Sequence, residues 1–156
     1  MRWPREFLLK QSVLLVDQLR KHENWNKQTQ KRLRNTEGIT AVGSNEADCA
    51  QISADTEVDR ISIECSTQII LKIHAALELI SVDLKQKPKG NHYYGLCLSD
   101  GCESAICTKR LTAIPWADLC LRCQDQNEKT NQLNKRFSHK ERRIVNSRSV
   151  APGTRT

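Results

Sequence analysis

A chain of 156 residues suits one domain, or one small domain with arms. Its composition, 38% hydrophobic and 4% aromatic with a mean hydropathy of -0.61, is thin for a compact core and suits an elongated helical protein or a folded centre with loose ends. The net charge of +7 raises the odds of an acidic partner, whether nucleic acid, an anionic nucleotide or an acidic protein channel, while a solvated surface with a basic tail explains it as well.

The N-terminal "MRWPREFLLKQSVLLVDQLR" does not read as a signal peptide, because Lys10, Gln11 and Asp17 break its apolar residues. No apolar run approaches the roughly 20 residues of a membrane span, so no membrane is expected and a cytoplasmic location is. Residues Glu6 to Arg34 hold no Gly or Pro. Phe7, Leu8, Val13, Leu14, Leu15 and Leu19 give an apolar stripe, and "KHENWNKQTQKRLRN" continues it as a polar, solvent-exposed helix. Gly38 and Gly43 then mark a loop, expected near 35–56; Cys49 lies there with no assigned role.

A second helix is expected from Thr56 to Leu84. Val58, Ile61, Cys65, Ile69, Ile73, Ala76 and Ile80 step by three or four and are expected to share one buried face, with Cys65 a core thiol. Two such helices joined by a loop predict an antiparallel hairpin over 5–86, in effect a short coiled coil. "KQKPKGNHYYG" breaks it. A cysteine-rich globular part and a C-terminal helix follow over 91–136, and a basic tail over 137–156 is expected to be disordered. The fold class is thus all-α.

Five of seven cysteines fall between Cys97 and Cys123. In a reducing compartment such a cluster favours metal over disulfides, and the odd count agrees. Zinc takes four ligands at tetrahedral corners, and two close thiol pairs separated by a longer stretch deliver them. Cys97-x4-Cys102 with Cys120-x2-Cys123 fits; Cys102, Cys107, Cys120 and Cys123 fit too, and His92 is a remoter candidate. Four thiolates close the coordination sphere, so one zinc ion per chain would be structural, and no enzyme is expected. A redox pair at Cys120 and Cys123 would need a βαβ context. A catalytic cysteine would need a positioned His, and His22, His74, His92 and His139 carry no motif.

The run "YGLC", Tyr94 to Cys97, followed by "C....I...RL.A.P.ADLC..C" from Cys102 to Cys123, resembles the DksA/TraR family of C4-type zinc finger transcription factors. Ile106, Arg110, Leu111, Ala113, Pro115 and Ala117 to Cys120 carry the likeness. "VDR" at Val58 to Arg60 and "IHAALELI" at Ile73 to Ile80 are similar to the family's second coiled-coil helix. The family's YGxC pattern selects Cys97 over Cys107 as the fourth ligand, although the family's first pair is CxxC and two further residues stand here. The resemblance implies a coiled-coil finger inserted into the secondary channel of bacterial RNA polymerase, with an acidic tip near the catalytic centre and no direct DNA binding. At the tip only Asp59 matches the family's Asp-x-x-Asp-x-Ala; Asp55 and Glu57 stand near, where they also suit an ordinary helix start. Guanosine tetraphosphate is a further implied partner. Lys72 matches one basic position for it, but Ile114 and Gln124 stand at two others, so no working alarmone site is expected. Two rivals remain: a zinc ribbon binding nucleic acid through a basic face, and a family member that keeps the fold without the regulatory effect.

Overall fold

The computed structural model describes residues 3–39, 46–86 and 92–133. Helix α1 spans Arg5–Ile39, α2 spans Glu46–Lys85, α3 spans Thr108–Ala113, and α4 covers 121–133. The described residues contain no strand, only an isolated antiparallel bridge between Leu96 and Ala105. The basic tail expected at 137–156 lies outside the described residues, as does the connection between the long helices at 40–45.

Helices α1 and α2 pack as an antiparallel hairpin, with 35 and 40 residues, or about 52 and 60 Å at 1.5 Å per residue. Pro4 stands where its missing N–H costs nothing, and its carbonyl accepts the first helical bond from Leu8, 3.2 Å. The seam on α1 runs through Leu8, Gln11, Leu15, His22, Asn26, Thr29, Leu33 and Thr36. On α2 it runs through Ile80, Ile73, Ser66, Asp59 and Thr56. On α1 steps of three and four alternate along most of it, and the α2 positions fall mostly seven apart, the spacing that keeps one stripe facing a partner helix.

The seam changes character along its length. Next to the cysteine-rich lobe it is apolar: Leu8, Leu15, Ile73, Ala76 and Ile80 are buried. Farther out it is polar. Thr29 and Ser66 are buried there, His22 Nδ1 lies 3.0 Å from the Ser66 hydroxyl, and Arg32 pairs with Asp59 at 3.0 Å. Hydrophobic burial, at about 25 cal/mol per Å² of apolar surface, therefore concentrates at the base of the hairpin.

Two expectations change. The loop expected near 35–56 is shorter, because α1 continues to Ile39 and α2 begins at Glu46. "EADCAQISADT" holds no Gly or Pro, Ala is the best helix former, and half-buried Ile52 and Thr56 keep the seam's phase. The buried stripe is also rotated: Val58 (64% exposed), Ile61 (52%) and Cys65 face solvent, while Ile73, Ala76 and Ile80 are buried. Three successive four-residue steps from Ile61 to Ile73 each advance about 40° beyond a full turn, so together they leave the seam by about 120°. Cys65 is thus a surface thiol. By length and mean hydropathy (1.3 over its most apolar window) α2 could cross a membrane, yet one side of it packs on α1 and the other exposes Glu57, Glu64 and Glu78.

The joint between hairpin and lobe is dense. The fully buried Asp83 carboxylate accepts the backbone N–H groups of Tyr93 and Tyr94, each at 3.0 Å. Tyr94 is buried; its hydroxyl donates to the Pro115 carbonyl at 2.8 Å, and its own carbonyl accepts the Trp3 indole N–H at 3.0 Å. Gly95 sits under Trp3 with φ +79, where a Cβ would come within 2.7 Å of the indole nitrogen. Lys72 of α2 bridges to Asp118 at 2.8 Å, and the His22 ring meets Trp116 edge-on at 6.2 Å. The lobe's own core is Ile106, Leu111 and Pro115, and Arg110 Nε donates to the Leu119 carbonyl at 3.1 Å.

Candidate metal centre

Each of four thiols is delivered by a backbone turn. Cys97 follows the Leu96–Ala105 bridge, and its N–H donates to the Ser104 carbonyl at 2.9 Å. The chain turns back through Ser99, whose carbonyl accepts the Cys102 N–H at 3.0 Å. Gly101 at φ +70 lets that turn close, and so the two extra residues between Cys97 and Cys102 are absorbed. Glu103 follows at φ +41, a conformation that disfavours residues with a Cβ. Cys120 lies just before α4, and Cys123 sits on its first turn, with the Gln124 N–H bonded to the Cys120 carbonyl at 3.0 Å.

The four Sγ atoms of Cys97, Cys102, Cys120 and Cys123 lie within 4.8 Å of one another. Cys102 and Cys120 are 3.8 Å apart. Zinc–sulfur bonds of about 2.3 Å at tetrahedral angles place the sulfurs at about that separation, so the donor set fits a zinc ion. The Cys120 N–H points at Cys97 Sγ, 3.3 Å away, an outer contact that stabilises a thiolate ligand. Cys107 is exposed at the start of α3 and is not in the group; the set that would include it in place of Cys97 is not assembled. His92 is also elsewhere. Its ring lies against α2, Nδ1 3.9 Å from Asp83, and neither ring nitrogen has a hydrogen-bond partner.

The thiols differ in acidity. Hydrogen bonds from the side chain and backbone of Ser104 lower Cys102 to about 6. At Cys123 a Ser99 hydrogen bond favours the thiolate, but contacts with Cys102 and Cys120 and burial outweigh it and push the thiol up to about 11. A cluster with one ready thiolate and one reluctant thiol takes up metal with proton release. Arg122 beside Cys102 is itself held more firmly protonated, first by a hydrogen bond to that sulfur, and it offsets part of the charge of four thiolates.

The remaining expected residues are scattered. Asp59 stands thirteen residues into α2, about 20 Å back from Glu46, bonded to Arg32. Lys72 is tied to Asp118, Ile114 is 37% exposed, and Gln124 donates to Glu128 at 2.7 Å, so no cationic pocket forms among these three. Sequence reading missed Asp83. Its signal was its place: an acid near a helix C-terminus, where the dipole favours cations, needs a local reason.

Among solved structures the chain is similar to transcription factor DksA2 from Pseudomonas aeruginosa, with a TM-score of 0.59 and 23% identity over 81% of this chain and 87% of that one. No family model and no curated protein matches it. The fold is therefore that of DksA2, carrying a four-cysteine group suited to a C4 zinc finger.

Proposed function

We propose that the protein is a cytoplasmic transcription regulator that binds bacterial RNA polymerase, its hairpin entering the secondary channel end-on and its zinc lobe bearing on the channel's outer side. One observation carries the reading: a long helical hairpin standing on a four-cysteine lobe, in the fold of a transcription factor. The metal's part is structural. Cys97, Cys102, Cys120 and Cys123 would hold zinc, leaving no open position for water or substrate. The zinc lobe favours a protein partner over DNA, since residues 92–133 carry four Lys or Arg against five Asp or Glu and so no net positive charge.

Asp59, the expected tip carboxylate, has a second role in this reading, because its bond to Arg32 pins the polar part of the seam. The acidic residues of the sequence nearest the hairpin's end are Glu37, Glu46 and Asp48. No guanosine tetraphosphate site is proposed at Lys72, which pairs with Asp118.

The test is binding of the zinc-loaded protein to core polymerase, followed by transcription in vitro. Retention on polymerase, with a changed transcript yield, is expected. An Asp59→Asn protein that binds but no longer changes transcription assigns the active-centre role to Asp59; one that acts as the wild type removes that role from Asp59. Failure of the zinc-loaded wild type to bind polymerase would leave the fold without this function.

A further inference from the structure

The outer side of α1, opposite the seam, reads Arg20, Asn24, Lys27, Lys31 and Arg34, again in steps of four and three. All five side chains are exposed. None of the four cations makes an ion pair among the described residues; the neighbouring cations Lys21 and Arg32 are the ones neutralised, by Asp17 and Asp59. The ridge is therefore four unpaired charges in a line about 21 Å long. The corresponding side of α2 mixes signs, with Glu57, Glu64 and Glu78 beside Arg60 and Lys72, so the unbroken run of cations belongs to α1.

We infer that the α1 ridge is a contact surface for the phosphate backbone of nucleic acid. Two physical arguments favour this partner over an acidic protein. A stable protein interface needs an apolar centre from which charge is excluded, and between Arg20 and Arg34 the ridge has none. Phosphate contact needs no apolar area: released counterions supply the free energy, and it is independent of base sequence. One strand spaces its charges at about 3.4 Å, so a ridge of this length runs beside about six phosphates and meets four of them. The surface is distinct from the zinc lobe, and the inference does not rest on the polymerase reading.

The test uses the full zinc-loaded chain and a fluorescein-labelled duplex DNA of arbitrary sequence, with affinity measured by anisotropy across a salt series. The C-terminal segment 134–156 also holds seven Lys or Arg against Glu141 alone, so it is varied separately. With Lys27→Glu, Lys31→Glu and Arg34→Glu combined, the slope of log affinity against log salt is expected to fall by about 3, close to 0.9 for each phosphate no longer neutralised. Arg142→Ala with Arg143→Ala leaves that ridge contribution in place. Lys27→Gln with Lys31→Gln serves if charge reversal disturbs the helix, and is expected to lower the slope by about 2. Three results overturn the inference: no DNA binding by the wild type at low salt, an unchanged slope in the ridge variants, or ridge variants that lose polymerase while keeping DNA, which would make the partner an acidic protein surface.

Discussion

Replacing Asp83 by alanine should unlatch the cysteine-rich lobe from the hairpin. The carboxylate is wholly buried and accepts the N–H groups of Tyr93 and Tyr94. Removing it strands both donors, of which the Tyr94 N–H lies in a buried contact. Each orphaned buried donor costs about 1–3 kcal/mol, so the pair should cost about 3 kcal/mol once the relief of burying no carboxylate is counted. Asparagine is the control. One oxygen, Oδ2, lies within reach of both N–H groups, at 3.3 Å from Tyr93 and 3.0 Å from Tyr94. An asparagine carbonyl in that place keeps both bonds and loses only the charge, at about 1 kcal/mol. Urea unfolding of the zinc-loaded protein, followed by tryptophan fluorescence, measures both variants. An alanine variant within about 0.5 kcal/mol of the wild type would show that the carboxylate does not hold the lobe.

The ligand set is checked by native mass spectrometry: one zinc per chain is expected for the wild type and for Cys107→Ser, and none for Cys97→Ser. Glu103→Gly should raise stability by about 1 kcal/mol, read as a higher melting temperature, because glycine adopts the φ of +41 without the Cβ penalty. Ile73→Ala, at a fully buried seam position, should cost about 3 kcal/mol, whereas Ile61→Ala, half exposed, should change unfolding little; equal costs would refute the rotated face. Zinc affinity should fall as pH falls, since protons compete for the thiolates. The dependence should steepen below about 6, where Cys102 also begins to hold its proton. Competition with a chromophoric chelator across about pH 5–8 reads that slope.

Much of the site could be read from the chain. Cys120 and Cys123 are two residues apart, and short-range spacing of ligands survives any tertiary arrangement that keeps the local turn. The residues between the pairs that carried the family resemblance prove to be the lobe's packing core: Ile106, Leu111 and Pro115 are buried, and Arg110 bonds the backbone just ahead of Cys120. The choice between Cys97 and Cys107 was open to spacing alone. Both lie near Cys102, and only the turn through Gly101 and the bridge from Leu96 to Ala105 determine which sulfur approaches the second pair.

The hairpin divides in the same way. Helicity was legible because a long stretch without Gly or Pro, with apolar residues every three or four positions, has few alternatives. Which face turns inward was not legible along the outer half of α2. There the apolar residues Val58 and Ile61 lie outside, while Asp59, Thr56 and Ser66 line the seam. A periodicity argument assumes that the apolar side is the buried one; here the buried side is chosen by partners on the other helix, Arg32 for Asp59 and His22 for Ser66. Asp83 follows the same rule. Its sequence neighbours say nothing of the two N–H groups ten and eleven residues on, and only the docking of lobe against hairpin brings those groups to it. Local spacing thus determined the helices and the metal pairs, since both depend on residues close along the chain. The seam's phase, the joint and the sulfur that joins Cys102, Cys120 and Cys123 depend on groups brought together from afar; the family resemblance already pointed to Cys97, and the tertiary structure alone decided the other two.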